Sequence, residues 1–285
     1  MRHTFLLIAS IFLLAACSTK TEYPAEFAVA DSLADYGEPR KALALLDSMS
    51  VGFESWAEPV QMRYSLLKYK AEDKADVPIT SDSTILPILN YYEKTQEEWL
   101  PEAYYYAGRT YTEIGDAPRA LDYYHKAATA MENDERWKPV LARVYAQVGG
   151  LFSQRRLVNE SIPYFHMAAR IYQDLRDSSS LINMYSWIAG EFKHENWDSV
   201  SWYNEKATQI LEVCHDSTWI SDLWIERVSA TTLQGNFDEA RAYLSKCFEH
   251  LDWNKHFGCW SVAARLYDSL GRKDSIFAPL SVKPW

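Results

Sequence analysis

From Pro101 to Met131 the chain reads PEAYYYAGRTYTEIGDAPRALDYYHKAATAM, and its small and apolar residues recur at steps of three and four on either side of Gly115. That is the period of one face of an α-helix, so the segment reads as two helices hinged at a glycine. Counted from Gly108, the ladder places Tyr111, Gly115, Ala120, Tyr124 and Ala127 at +3, +7, +12, +16 and +19. The same offsets from Ala30 give Leu33, Gly37, Ala42, Leu46 and Met49. From Gly149 they give Phe152, Ser161, Phe165 and Ala168, with Arg156 where the turn glycine would stand. From Val228 they give Gly235, Ala240, Leu244 and Cys247, and from Ala264 they give Tyr267 and Gly271. The weakest unit starts at Ala189 with Phe192, and its second helix fits only when Val200, Asn204 and Ala207 are read one residue early, which predicts a shortened turn.

Steps between the anchors Gly108, Gly149, Ala189, Val228 and Ala264 are 41, 40, 39 and 36 residues. The gap from Ala30 to Gly108 is 78, which holds one more unit, with helices over Val60–Lys70 and Thr84–Lys94. The count is therefore about seven units, the last incomplete. Pro39 and Pro118 fall in the first turn of second helices, where a missing N–H costs nothing. No segment alternates apolar and polar residues over a strand's length, and 10 Gly with 11 Pro are too few for a turn-rich β chain.

A ladder of small residues at helix crossings and aromatic knobs, repeating at this interval, resembles the tetratricopeptide repeat (TPR). The resemblance implies an all-α fold: a TPR-like α-solenoid of about seven antiparallel helix pairs forming a right-handed superhelix over residues 25–278. In such an array first-helix residues one after the small anchor, and four or five after it, face a groove. Those positions are Arg109, Thr112 and Glu113, then Gly150, Ser153 and Gln154, then Gly190, Lys193 and His194, with Tyr105 one turn before Arg109. This polar set predicts a surface for an extended protein or peptide partner.

Residues 1–16 have a basic start at Arg2, an apolar run from Phe5 to Leu14 and small residues before Cys17. That is the pattern of a secretory signal peptide, too short to span a bilayer. Leu14-Ala15-Ala16-Cys17 resembles a lipobox, which implies lipidation of Cys17 and a tether over 17–24, while Pro279 and Pro284 end any helix near Ser275 and mark 279–285 as a tail beyond the repeats. Two acyl chains on Cys17 suffice for stable anchoring. Ser18 in place of Asp resembles the outer-membrane sorting pattern, so the expected address is a cell-envelope lipoprotein of the outer membrane, facing the periplasm or the cell surface. The whole resembles TPR lipoproteins common in Bacteroidota.

A formal charge of −10 lacks the basic patches that hold a phosphate backbone, which excludes nucleic acid as a partner. The seven His residues form no metal-ligand pair around a glutamate, and no phosphate-cradling or nucleophile-elbow motif is present. No catalysis, cofactor or metal is expected. Cys214, Cys247 and Cys259 remain after Cys17, and Cys247 falls at a helix crossing where a small buried residue belongs. A disulfide from Cys247 to Cys259 would suit an oxidising periplasm, but spacing does not fix the geometry. Of the 11 Trp, Trp187, Trp224 and Trp260 fall on core positions, while Trp197, Trp202, Trp219 and Trp253 lie nearer turns or helix backs. Exposed tryptophan there would stack on sugar rings or grip a partner. The leading function is a membrane-anchored scaffold for a protein or peptide. The alternatives are glycan binding in an outer-membrane uptake system and a subunit of envelope assembly or signalling.

Overall fold

A computed structural model describes residues 21–193, 196–214, 220–250 and 257–271. Cys17, His194, Trp219, Trp253 and the tail over 279–285 lie outside the described residues. Among the described residues there is no strand, and thirteen α-helices follow one another. They are α1 (Ala25–Asp35), α2 (Pro39–Met49), α3 (Glu58–Lys74), α4 (Ile85–Thr95), α5 (Leu100–Glu113), α6 (Ala117–Met131) and α7 (Lys138–Gln154). The series continues with α8 (Val158–Leu175), α9 (Ser178–Phe192), α10 (Trp197–Cys214), α11 (Ile220–Leu233), α12 (Phe237–His250) and α13 (Phe257–Ser269). Odd-numbered helices are the first helices of the sequence repeats and even-numbered ones the second, giving six pairs and a single further first helix. Helices α3 and α4 supply the unit that the 78-residue gap required. The helices form two compact units that divide between Asp116 and Ala117.

In the first unit, Phe27, Ala30 and Ala34 of α1 close on Ala42 and Leu46 of α2 and on Val60, Tyr64, Leu67 and Ala71 of α3. Alanine at the crossings lets the backbones approach, and the aromatic rings fill the space beside them. In the second unit Val200, Asn204 and Ala207 of α10 are buried, in the register read from sequence. Farther along, Val228 of α11, Ala240 and Leu244 of α12 and Val262, Ala263 and Leu266 of α13 form one apolar cluster.

The turns after α1, α5 and α11 use a residue in the left-handed region. Gly37, Gly115 and Gly235 take it at φ +86, +81 and +77°, and Gly271 takes it just after α13 at +66°. Arg156 stands in the same place at φ +57°, where a Cβ costs about 1 kcal/mol or more that glycine avoids. Part of the gain from glycine is offset by the freer unfolded chain. Arg156→Gly is therefore expected to stabilise the protein by about 0.5–1 kcal/mol, read as a rise in melting temperature of about 2 °C. A fall would mean that the arginine side chain makes contacts worth more than its backbone strain.

Candidate binding surface

In the first unit the first helices α1, α3 and α5 are joined by buried charges. Arg63 of α3 donates to Asp31 of α1 and to Glu102 of α5, each at 2.8 Å. Lys70, one face-repeat along α3, donates to Asp31 at 2.6 Å and Asp35 at 2.7 Å, and lies 3.4 Å from Glu102. Burial alone would raise the Glu102 carboxyl, but Arg63 and then Lys70 hold it below the usual carboxylate range. The Arg63 guanidinium also covers the Trp99 ring at 4.6 Å. Three acids meet two bases here with Lys74 beside Asp35 at 3.4 Å, so the seam is balanced and satisfied from within.

The sequence-derived positions of this unit continue that seam. Arg109 binds Asp73 of α3 at 2.9 Å and Glu113 at 3.1 Å. Thr112 donates back to the Gly108 carbonyl at 2.9 Å. Tyr105, placed in the groove by sequence, is only 4% exposed and packs edge-on against Tyr106 at 4.9 Å. Its ring belongs to the packed interior, because helix spacing sets the direction of a side chain and not whether a neighbour covers it.

In the second unit the outcome differs. Gly150, Ser153 and Gln154 of α7 and Gly190 of α9 line one open depression of about 690 Å³, together with Arg156, Ser186, Trp187 and Glu191. Helices α7 and α9 are bridged through α8, which packs on both, and Phe165 of α8 lies at the back of the depression. A Cβ on Gly150 or Gly190 would meet nothing within 4 Å, so neither glycine is demanded by packing and both leave the helix backbone accessible. Trp187 was expected in the core. One edge does rest on Phe165, with ring centroids 5.4 Å apart, but the residue is 39% exposed and forms a wall of the depression. Lys193 instead pairs with Glu226 of α11 at 3.5 Å. Trp202 is 54% exposed on α10, as its place near a helix back predicted, with Lys206 over its ring at 5.4 Å.

The sequence set missed Ser186, Trp187 and Glu191. They precede the anchor Ala189 by two or three residues or follow it by two, outside the offsets used, and the same helix face taken one turn earlier would have reached Ser186. Among the described residues, no three His, Cys, Asp or Glu side chains are placed to hold a metal ion. No described helix is long and apolar enough to cross a membrane.

No family model and no curated protein matches the chain. Solved structures do. The apo form of RapI aligns at TM-score 0.75 with 12% identity, over 90% of this chain and 73% of that one. A Rap protein complexed with competence and sporulation factor aligns at 0.57 with 16% identity, over 90% and 76%. A signal-transduction ATPase with a tetratricopeptide repeat sensor, from Pyrococcus horikoshii, aligns at 0.55 with 15% identity, over 90% and 37%. The fold is a TPR-like α-solenoid. At these identities the likeness speaks for architecture alone, and the TPR-like array accounts for why equivalent residues of successive first helices share a face.

Proposed function

We propose that the chain is a non-catalytic scaffold that receives an extended segment of a protein or peptide partner on the first-helix face of its second unit. One observation carries this: Gly150 and Gly190 open the backbones of α7 and α9 around the half-exposed ring of Trp187. An extended segment can lie close against bare helix backbone, hydrogen-bond to Ser153, Gln154 and Ser186, and seat one side chain against the indole. The Rap protein of similar fold is complexed with a factor, which agrees with this use of the architecture. A glycan is the second reading and rests on the same Trp187 face, since sugar rings stack on indole.

Photo-cross-linking from Gln154 in native membranes is expected to capture a polypeptide, and cross-linking from Glu132 is not. Trp187→Ala with Gly150→Leu should then weaken the captured partner by about 2 kcal/mol, roughly thirtyfold, with helix content unchanged. Unchanged affinity would remove the depression from the function, and a signal confined to a glycan array would favour the second reading.

The envelope address is part of the same proposal. Its support is Leu14-Ala15-Ala16-Cys17 behind an apolar run. An alkyne fatty acid fed to cells should label the wild type and leave Cys17→Ala unlabelled. Equal labelling would detach the scaffold from the membrane reading.

A further inference from the structure

Cys247 of α12 and Cys259 of α13 are free and fully buried, within the apolar cluster that also holds Val228 and Leu244. The two helices pack directly on each other. Across that contact the Cys247 thiol donates a hydrogen bond to the Cys259 sulfur. Two thiols that share one buried cluster and a hydrogen bond, on helices packed against each other, are far closer to a bond than their spacing in sequence alone could promise.

We propose that Cys247 and Cys259 are a redox clip: a small-molecule disulfide oxidises them to an intramolecular bond that ties α13 to α12. Cys259, as thiolate, attacks one sulfur of the oxidant and expels the first small thiol, leaving a mixed disulfide. Cys247 then loses its proton and attacks the Cys259 sulfur, expelling the second thiol. Two protein thiols are oxidised and one external disulfide is reduced to two thiols, so electrons and protons balance. The hydrogen bond from Cys247 favours the thiolate at Cys259, while that bond and then burial raise Cys247, and this sets the order of attack. Burial means that the oxidant enters only when α13 opens from its neighbours, so the clip closes at the rate of that opening. Once closed, it removes freedom from the unfolded chain and ties α13 to the helices before it.

The test uses the full chain and oxidised glutathione, with acid quenching, alkylation and tryptic mapping. The peptides Cys247–Lys255 and His256–Arg265 should appear joined by a disulfide. The melting temperature should rise by roughly 5 °C and return with dithiothreitol. Cys214→Ala should change neither result, and Cys259→Ser should abolish both. Separate glutathione adducts on the two peptides, free thiols after prolonged oxidation, or a link formed without a rise in melting temperature would each overturn the proposal. If Cys259→Ser does not fold, the mapping of the wild type decides alone.

Discussion

Glu102→Leu is expected to destabilise the protein by about 3–5 kcal/mol, the cost of removing one partner from a buried ion cluster. Arg63 and Lys70 would stay buried with no acid on the α5 side, Arg63 keeping Asp31 and Lys70 keeping Asp31 and Asp35. An exposed pair such as Lys126–Asp122, at 3.0 Å within one helix, sets the contrast, since its loss is worth about 0.5 kcal/mol or less. Urea unfolding of the two variants separates these cases. Adding Arg63→Met to Glu102→Leu should recover a large part of the loss, because the orphaned charge leaves and Asp31 keeps Lys70. The effect has a defined pH dependence. Glu102 is held below its ordinary value when folded, so its contribution is complete above the unfolded value near 4.3 and vanishes as pH falls through the folded one. The gap in stability between wild type and Glu102→Leu should stay constant from pH 7 to about 5 and narrow below that. A gap that widens on acidification would mean that the cluster does not hold Glu102 ionised.

The repeat ladder made the helices legible because each small or aromatic position answers to a single local demand. Ala30, Ala42, Ala120, Ala168, Ala189 and Ala240 are all buried, since a helix crossing tolerates only a small side chain. Even the unit that fitted one residue early at Val200, Asn204 and Ala207 follows the chain's register. The charged seam was not seen, although a signal exists. Arg63 and Lys70 repeat at seven residues on one face of α3, and acids occupy the matching faces of α1 and α5 at Asp31, Asp35 and Glu102. Reading charge between alternate helices, instead of along one, exposes that pattern. Tyr105 and Trp187 were assigned to opposite environments from those they occupy. Both fall on helix faces that spacing locates correctly. Whether such a face is covered depends on how far the next first helix stands away, and that distance is set by the second helix between them.

The adjacent glycines of α7 are expected to respond to a methyl group with opposite signs. A Cβ on Gly149 would sit 2.6 Å from two ring carbons of Phe165. The ring is fully buried and braced edge-on by Trp187, so it has little room to yield. Gly149→Ala should therefore cost about 1–3 kcal/mol as overpacking, reduced by the better helix propensity of alanine. At Gly150 the new methyl meets nothing, and the propensity gain of about 1 kcal/mol appears undiminished as stabilisation. Thermal melts of the two single variants are enough to read the difference. Should both stabilise, Phe165 does not pack against α7 as described, and the depression it backs would lose its shape. The binding consequence is separable, because Gly150→Ala adds one methyl at the floor of the depression while leaving the core intact. A partner lying on bare backbone at Gly150 should lose affinity from that methyl even as the protein becomes more stable. Gly190→Ala, on the facing helix and equally open, should reproduce both effects. A partner whose affinity follows stability in these variants, instead of opposing it, would be held elsewhere on the array.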